Sequence, residues 1–254
     1  MTDASTDSPV YVLVGGTGGI GAPLARRLAA DGARLVLGAR DGDRLGALAG
    51  ETGARAFTLD ATDADAVSGL MGAAMEAHGR IDGAINLVGS ILLKPAHATS
   101  PAEFDDTLTL NLKTAFYVVR AAAKAMQANK AQEGGSIVLM SSVAGRYGLP
   151  NHEAVAAAKA GIEGLVRAAA ATYAPRGIRV NAVAPGLVRT PLAGRLVATE
   201  QAVEASAAMH PLGRIGEPED LTDALAFLLD SARSAWVTGQ TLSVDGGFAT
   251  VRPR

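Results

Sequence analysis

Short runs of aliphatic residues alternate with longer amphipathic stretches along this 254-residue chain. The first run, at 10–14, has five apolar residues in succession and leads through a glycine-rich turn into a helical pattern at 20–30. Similar strand-like runs recur at 34–38, 54–59, 83–87, 136–140, 179–184 and 241–244. Aliphatic strands joined by helices are typical of a parallel sheet covered on both faces. The pattern predicts an α/β fold: one doubly wound, Rossmann-like domain of about seven parallel strands with helices on both faces.

The helical patterns between these strands leave no room for a second domain. They are centred on 44–48, 63–76, 101–127, 152–173 and 217–230. No long linker rich in Pro, Gly or Ser interrupts them, so we expect a single domain over 10–254. Residues 1–9 are polar and acidic, and we expect a disordered tail there.

One stretch, at about 191–216, departs from this alternation. It carries only a weak helical pattern, at 193–209, and it follows the sixth strand at the carboxyl side of the sheet. Ligands of open α/β sheets bind at that side. We therefore expect a small substrate lid at about 191–216, with a plain surface excursion as the alternative.

The composition excludes several classes of function. Apolar residues make up 48% and charged residues 19%, which is enough apolar content for a core and excludes disorder over most of the length. The formal charge of −2 argues against nucleic-acid and anionic-membrane partners. Without cysteine there is no disulfide or thiolate metal site, and we expect no metal. No apolar run reaches about 18 residues and no signal peptide is recognisable, so we expect a cytoplasmic protein.

The turn after the first strand has the composition of a phosphate-binding loop. It reads Gly15-Gly16-Thr17-Gly18-Gly19-Ile20-Gly21. Small residues let the backbone approach a pyrophosphate, and the helix that starts at Ile20 presents N–H groups and a positive dipole end. A tight strand-to-helix turn also needs glycine. Because strand, turn and helix come in the required order, we expect dinucleotide binding through Gly15, Thr17, Gly18, Gly19, Ile20 and Gly21.

Two charged residues bear on the choice of dinucleotide. Arg40 lies just past the second strand, where an acidic residue commonly holds a ribose 2′-hydroxyl. A guanidinium there suits a 2′-phosphate, which predicts NADP, with NAD possible because Asp41 could neutralise Arg40. Asp60 ends the third strand and either accepts a hydrogen bond from the adenine amino group or caps the next helix.

Further motifs are spread along the chain from Val10 to about Phe248. They are the G-x-x-x-G-x-G spacing at Gly15, Gly19 and Gly21, Asn86-Leu87-Val88-Gly89 after the fourth strand, Asn111, Ser141-Ser142, Lys159, the segment 178–186 with Thr190-Pro191, and the C-terminal motifs at 216–220, 237–240 and 244–247. Together these motifs resemble those of the short-chain dehydrogenase/reductase family. The resemblance implies further cofactor contacts at Asn86, Gly89, Lys159, Pro185, Gly186, Val188 and Thr190. It also implies a homotetramer, with a homodimer as the alternative.

The chain departs from this family at the catalytic motif. The family has Tyr-x-x-x-Lys with a serine thirteen positions before the tyrosine; Lys159 and Ser142 match, but the tyrosine position holds Val155. A residue four before Lys159 lies one turn away on the same helix face, where an ammonium lowers a phenol pKa. Valine has no proton to give. The resemblance implies catalytic roles for Ser142, Lys159 and Asn111, the last holding a water beside Lys159.

Two residues near this position are alternative proton donors. His152 precedes Val155 by three positions, and an imidazole titrates near neutral pH; the alternative is a surface histidine at a helix start. Tyr147 lies on the loop after Ser142, and its alternative is a pocket-wall aromatic.

Together these features predict an NADP(H)-binding oxidoreductase of this family with an atypical proton donor. Its small-molecule substrate is expected to be apolar, because apolar residues rim the predicted pocket. These residues are Ile91, Leu92, Leu93, Tyr147, Leu149, Leu187, Leu192 and Leu196. The alternative is a catalytically silent dinucleotide-binding protein that serves as a partner subunit or sensor. A non-redox enzyme on the same scaffold is disfavoured by the intact loop Pro185, Gly186 and Thr190.

Overall fold

The computed structural model describes residues 8–129 and 134–251. Residues 1–7, which make up most of the predicted tail, lie outside the described residues, as do 130–133 and 252–254. Ser8 and Pro9 are joined to the second strand. The Arg34 backbone N–H donates to the Pro9 carbonyl at 2.9 Å, and the Arg34 guanidinium donates to the Ser8 carbonyl at 3.0 Å.

Seven parallel strands form one sheet, as the sequence predicts. They are β1 (Val10–Val14), β2 (Arg34–Ala39), β3 (Arg55–Thr58), β4 (Gly83–Asn86), β5 (Gly135–Met140), β6 (Ile178–Pro185) and β7 (Thr241–Val244). Their order is β3-β2-β1-β4-β5-β6-β7. From β1 the strands are added on one side up to β3, and from β4 they are added on the other side up to β7. The strand order therefore reverses between β1 and β4, which are neighbours. A crevice opens at the carboxyl ends of strands at such a reversal, and this is where ligands of doubly wound sheets bind.

Helices cover both faces of the sheet, which confirms the doubly wound prediction. They are α1 (Gly21–Ala30), α2 (Gly42–Thr52), α3 (Ala64–His78), α4 (Pro101–Leu108), α5 (Thr114–Met126), α6 (Glu153–Tyr173), α7 (Glu200–Ala208) and α8 (Pro218–Leu229). Successive residues of β1 point to opposite faces. Val12 belongs to the core shared with α3, α5 and α6, whereas Leu13 belongs to the core shared with α1, α2 and α8.

The stretch predicted to be helical at 101–127 is interrupted in its middle. A π-helical turn, Thr109–Lys113, separates α4 from α5. Asn111 lies in this turn and is fully buried, and its side-chain Nδ2 donates to the Thr107 carbonyl at 2.9 Å. Asparagine side chains compete with the helix backbone for such carbonyls. π-Helical turns inside helices occur frequently at functional sites.

The segment at 191–216 holds less regular helix than its pattern predicts. A short 3₁₀ turn, Pro191–Ala193, is followed by α7, in which no residue is buried. An isolated parallel β-bridge joins Val188, just before the segment, to Gly216 at its end, so the two ends of the segment lie side by side. Within the described residues, we find no helix that combines the length and the apolar character needed to cross a membrane.

Candidate dinucleotide and catalytic site

A cleft of about 460 Å³ opens at the carboxyl ends of β1, β2 and β4. The predicted residues that line it are Gly15, Thr17, Gly18, Gly19, Ile20, Gly21, Arg40, Asp60, Gly89 and Thr190. Residues at the carboxyl ends of neighbouring parallel strands meet in space although they are far apart in sequence. The cleft therefore collects ten of the predicted residues from separate parts of the chain.

The glycine turn at the floor of the cleft has no space for side chains. Gly15 has a φ of +84°, a left-handed conformation that favours glycine. A Cβ on Gly21 would lie 2.6 Å from the Gly15 carbonyl oxygen. At the start of α1, Ile20 makes no side-chain cap and the first turn has no acidic residue. The positive end of the helix dipole therefore carries no side-chain cap, although the Ala22 N–H already donates to the Gly18 carbonyl at 3.0 Å. This cradle fits a pyrophosphate.

Two arginines border the end of the cleft beside β2. Asp41 accepts a hydrogen bond from the Arg44 backbone N–H at 3.0 Å and caps α2, so its carboxylate is occupied by the helix start. The Arg44 guanidinium donates to the Thr17 carbonyl at 3.0 Å and joins the glycine turn to α2. Both Arg40 and Arg44 line the cleft. Sequence reasoning missed Arg44, although its position four residues after Arg40, in the first turn of the next helix, was the available signal.

Asp60 lines the same end of the cleft and does not cap the following helix. Its carboxylate accepts hydrogen bonds from the backbone N–H of Thr62 at 2.9 Å and from the Thr62 hydroxyl at 2.8 Å. These two bonds, with a smaller contribution from Arg40, lower the pKa of Asp60. The alternative role as a cap of α3 is wrong, because Asp63 occupies that position.

A buried amine and a buried amide meet behind Gly89. The Lys159 Nζ donates to the Met140 carbonyl at 2.8 Å, and burial lowers the pKa of Lys159 to about 8. A Cβ on Gly89 would lie 2.9 Å from Asn111 Oδ1 and 3.5 Å from Lys159 Nζ. Only a glycine at this position lets the wall of the cleft pass so close to both side chains. The π-helical turn thus brings Asn111 to the amine across a distance in sequence of 48 positions.

Asn111 is held in place by hydrogen bonds on both sides of its amide. Its Oδ1 accepts from the Ser90 backbone N–H at 3.2 Å, and its Nδ2 donates to the Ser90 hydroxyl at 3.0 Å. Ser90 lines the cleft, and sequence reasoning did not single it out. Its only signal was its place just after the Asn86–Gly89 motif.

The serine and the valine of the catalytic motif lie next to this cluster in the fold. Ser142 follows β5, and its Oγ accepts a hydrogen bond from the Ala144 backbone N–H at 3.1 Å. Its hydroxyl hydrogen is therefore not used by that bond and can be donated. Val155 lies in α6 one turn before Lys159 and is 5% exposed. An alkyl side chain at this place can neither donate nor accept a proton.

The two alternative donors, His152 and Tyr147, lie at the start of α6 and on the loop after β5, respectively. His152 is the N-cap of α6, so it lies just outside the helix whose face Val155 shares, and its Nδ1 is 2.8 Å from the Pro150 carbonyl. A carbonyl accepts only, so Nδ1 carries a proton and Nε2 is left to exchange one. Tyr147 is 50% exposed, and its ring lies edge-on to Phe248 with centroids 5.6 Å apart.

Several predicted cofactor residues lie away from the large cleft. The buried Asn86 donates through Nδ2 to the Thr114 hydroxyl at 3.1 Å and so ties β4 to α5. Pro185 ends β6, while Gly186 and Val188 line a smaller cavity of about 140 Å³. Of this loop, Thr190 reaches the large cleft. A Cβ on Gly19 would lie 2.8 Å from Pro191, so the glycine turn and the loop after β6 touch.

Of the apolar side chains predicted to rim the pocket, Leu192 lines the cleft and is 56% exposed. Ile91 is 39% exposed, and Leu93 and Tyr147 are exposed as well.

A glycine-lined crevice at the strand-order reversal of a doubly wound sheet defines a dinucleotide-binding protein. Residues 15–249 match the family described as Enoyl-(Acyl carrier protein) reductase. The chain is 39% identical over 247 residues to cis-4-hydroxycyclohexanecarboxylate dehydrogenase of Sinomonas cyclohexanicum, covering 95% of this chain and 97% of that protein. It belongs to the short-chain dehydrogenase/reductase family, a family of oxidoreductases that use a nicotinamide dinucleotide.

Two further relatives bear on the site. The crystal structure of a variant of actinorhodin polyketide ketoreductase with NADPH superposes with a TM-score of 0.90, at 30% identity, covering 98% of this chain and 100% of that one. A protein named inactive 2-(S)-hydroxypropyl-CoM dehydrogenase 2, of Xanthobacter autotrophicus, is 36% identical over 234 residues, covering 90% of this chain and 100% of that protein.

Proposed function

We propose that this protein is an NADP(H)-dependent oxidoreductase that acts on an apolar small molecule and uses a proton donor other than the family's tyrosine. The observation that carries the proposal is the glycine-lined cleft, with two arginines at one end and the buried Lys159 amine behind Gly89. The NADPH-bound ketoreductase of the same fold supports the choice of dinucleotide. The exposed side chain of Leu192, which lines the cleft, supports an apolar substrate.

Each group of residues has a separate role in binding the dinucleotide or the substrate. The bound nicotinamide dinucleotide supplies or accepts a hydride. The glycine turn and the first turn of α1 bind the pyrophosphate, and Arg40 with Arg44 binds a 2′-phosphate through charge-assisted hydrogen bonds. Lys159 binds the nicotinamide ribose hydroxyls. Asn111 fixes the position of the Lys159 amine relative to Gly89, which lines the cleft. The Ser142 hydroxyl donates to the substrate oxygen.

His152 is the proton donor that we favour. Its Nδ1 contact with the Pro150 carbonyl orients the ring, so Nε2 is the atom that gives or takes the proton. Tyr147 is the alternative donor. His152→Ala with unchanged NADPH binding and lost turnover supports the histidine, and unchanged turnover in that variant rules it out. Tyr147→Phe tests the tyrosine in the same way.

The first experiment is a binding and turnover comparison. NADPH and NADH are titrated by nicotinamide fluorescence, and a panel of ketones and conjugated alkenes is then assayed with the dinucleotide that binds. Tight NADPH binding with turnover of an apolar substrate is the expected result. Failure to bind either dinucleotide contradicts the proposal.

Dinucleotide preference is expected to depend on the two arginines. Arg40→Ser should weaken NADPH binding about 10- to 100-fold and leave NADH binding within about twofold, because it removes a charge-assisted hydrogen bond to a 2′-phosphate. Arg44→Ser should weaken NADPH binding more than NADH binding, since Arg44 also holds the glycine turn through the Thr17 carbonyl. The matched control is Arg26→Ser, since Arg26 is also a helical surface arginine but pairs with Glu51 at 2.7 Å, joining α1 to α2. Equal losses for NADPH and NADH contradict the assignment.

Close contact between the glycine turn and the loop after β6 gives a second expected result. Gly19→Ala should weaken NADPH binding about 10- to 100-fold, because its Cβ would lie 2.8 Å from Pro191 and 2.9 Å from Thr190 Cβ, forcing these groups apart. Gly46→Ala is the control: a Cβ there meets nothing within 4 Å, and alanine stabilises a helix by about 0.5–1 kcal/mol. NADPH fluorescence titration measures both. Unaltered binding in Gly19→Ala contradicts the placement.

A second candidate function is a catalytically silent, dinucleotide-binding partner subunit or sensor. Val155 in the catalytic motif favours it, and so does the related protein named as inactive. This function predicts tight NADPH binding with no turnover on any substrate of the panel. His152→Ala and Tyr147→Phe then change nothing that an activity assay can measure.

We also propose that the segment 191–216 covers the substrate and that the protein assembles as a homotetramer or homodimer. Leu192 of this segment lines the cleft and is 56% exposed. Phe116 on α5 and Trp236 before β7 are large exposed apolar residues away from it, at 50% and 100% exposure. Light scattering after size exclusion measures the assembly, and a monomer at micromolar concentration contradicts it.

A further inference from the structure

A buried histidine outside the catalytic motif holds the loop that follows β6. His210 is 3% exposed and lies just after α7. Its Nε2 is 3.2 Å from the backbone nitrogen of Leu187 and its Nδ1 is 2.7 Å from the Ser206 carbonyl. Because the carbonyl only accepts and the backbone N–H only donates, the neutral ring is fixed with its proton on Nδ1 and its lone pair on Nε2. One side chain thus joins α7 to the loop.

The backbone of Gly186, in the loop after β6, leaves no room for a side chain beside the His210 ring. A Cβ on Gly186 would lie 2.6 Å from His210 Nε2, so the ring packs directly on the Gly186 backbone. On its other side, the Gly216 backbone N–H donates to the Leu187 carbonyl at 2.8 Å, and the Arg189 N–H donates to the Gly216 carbonyl at 2.9 Å. The segment 186–189 is therefore held between His210 and Gly216, and its course into Thr190 is set by both.

Aromatic contacts connect the His210 ring to the loop that carries Tyr147. The His210 ring lies 5.1 Å from the Phe248 ring, and Phe248 in turn lies 5.6 Å from Tyr147. The loop after β6, the end of α7, the C-terminal segment and the loop after β5 are thus linked through one imidazole.

We propose that His210 is a positioning residue that sets the nicotinamide half of the cofactor site by holding the Leu187 backbone and joining it to α7. The inference rests on the proposed function, since it concerns the same dinucleotide. The resemblance to the family implies that the segment 186–190 borders the nicotinamide, and Thr190 of this segment lines the large cleft. In the proposed function the glycine turn and the arginines border the phosphates and the adenosine. A defect at His210 is therefore confined to the nicotinamide half.

The test compares two ligands and two substitutions. His210→Leu removes the acceptor at similar size, and His210→Gln keeps a side-chain oxygen that can accept from the Leu187 N–H. We expect His210→Leu to weaken NADPH binding about tenfold, the factor that corresponds to one buried hydrogen bond. Binding of 2′-phospho-ADP-ribose, which lacks the nicotinamide, should stay within about twofold. His210→Gln should recover most of the NADPH affinity. The control is His97→Leu, since His97 is exposed on the turn Ala96–Ala98.

The outcomes separate this inference from the proposed function. Equal weakening of both ligands in His210→Leu, or no weakening of either, overturns the inference while wild-type NADPH binding keeps the proposed function. If the wild type binds no dinucleotide, the proposed function fails and the nicotinamide part of the inference fails with it. Hydrogen exchange at the Leu187 amide then tests the part that needs no dinucleotide, the hold of His210 on the Leu187 backbone. Slow exchange in the wild type with faster exchange in His210→Leu supports it. Equal rates in the two proteins overturn it.

Discussion

Val155→Tyr, made in a His152→Ala background that lacks the donor we favour, is expected to raise the rate of NADPH-dependent ketone reduction by about 10²–10⁴-fold, the range that a general acid contributes. The new phenol would lie one helical turn before Lys159 on α6, beside an ammonium that lowers its pKa. Lys159 and Asn111 are already held in place by hydrogen bonds, and Ser142 follows two residues after Met140, the carbonyl of which accepts from Lys159. The phenol would therefore join groups that are already ordered. Steady-state kinetics on the ketone panel measures the gain.

The matched control is Val155→Phe, which adds nearly the same ring without the hydroxyl. Val155 is 5% exposed, so both substitutions add volume at a packed position and share any cost of overpacking. NADPH binding by each variant shows whether the cleft has kept its form. Equal activity in the tyrosine and phenylalanine variants, with NADPH still bound, contradicts the view that the phenol is the missing group.

The second large effect concerns the buried amine. The pKa of Lys159 in the folded protein is lowered from 10.5 to about 8 by burial. Between pH 8 and 10.5 the unfolded chain binds a proton that the folded protein does not, so the free energy of unfolding contributed by this group rises with pH. Relative to Lys159→Met, the wild type should gain about 3 kcal/mol across this window, at about 1.36 kcal/mol per pKa unit. Urea unfolding at a series of pH values measures it.

Comparison with Lys159→Met cancels the other groups that titrate in the same range. Lys124→Met is the control, because Lys124 is exposed on α5 and its substitution should leave the pH dependence unchanged. Parallel stability curves for the wild type and Lys159→Met from pH 8 to 10.5 contradict a buried amine with a lowered pKa.

The strand and helix pattern was readable from the sequence because each element has its own periodicity. Continuous aliphatic runs such as 10–14 can only be buried on both faces, and that requires helices on both sides of the sheet. The interruption of 101–127 was not readable. Its cause is a side chain, Asn111, that bonds to the Thr107 carbonyl and to Ser90 at once. Local sequence shows that asparagine is unfavourable in a helix, but not which partner it takes.

The cleft is lined by ten of the predicted cofactor residues and by none of the five predicted catalytic residues. The glycine turn works through backbone geometry, which the spacing of glycines encodes, and the turn lies at the floor of the cleft. Arg44 and Ser90 were missed because their roles come from neighbours distant in sequence, such as Thr17 and Asn111. His210 carried no motif, and its contacts with Leu187 and Ser206 exist only once α7 is folded against the loop.

By itself, the sequence determined the doubly wound sheet, the glycine cradle and the presence of valine at position 155, because each follows from residue type and local spacing. Tertiary structure decided which side chains share a site. Burial of Lys159 behind Gly89, the π-helical turn that carries Asn111 to it, and the clamp of His210 on Leu187 depend on segments that are distant along the chain. The physical reason is that hydrogen-bond partners and desolvation are properties of the packed molecule, which no local pattern encodes.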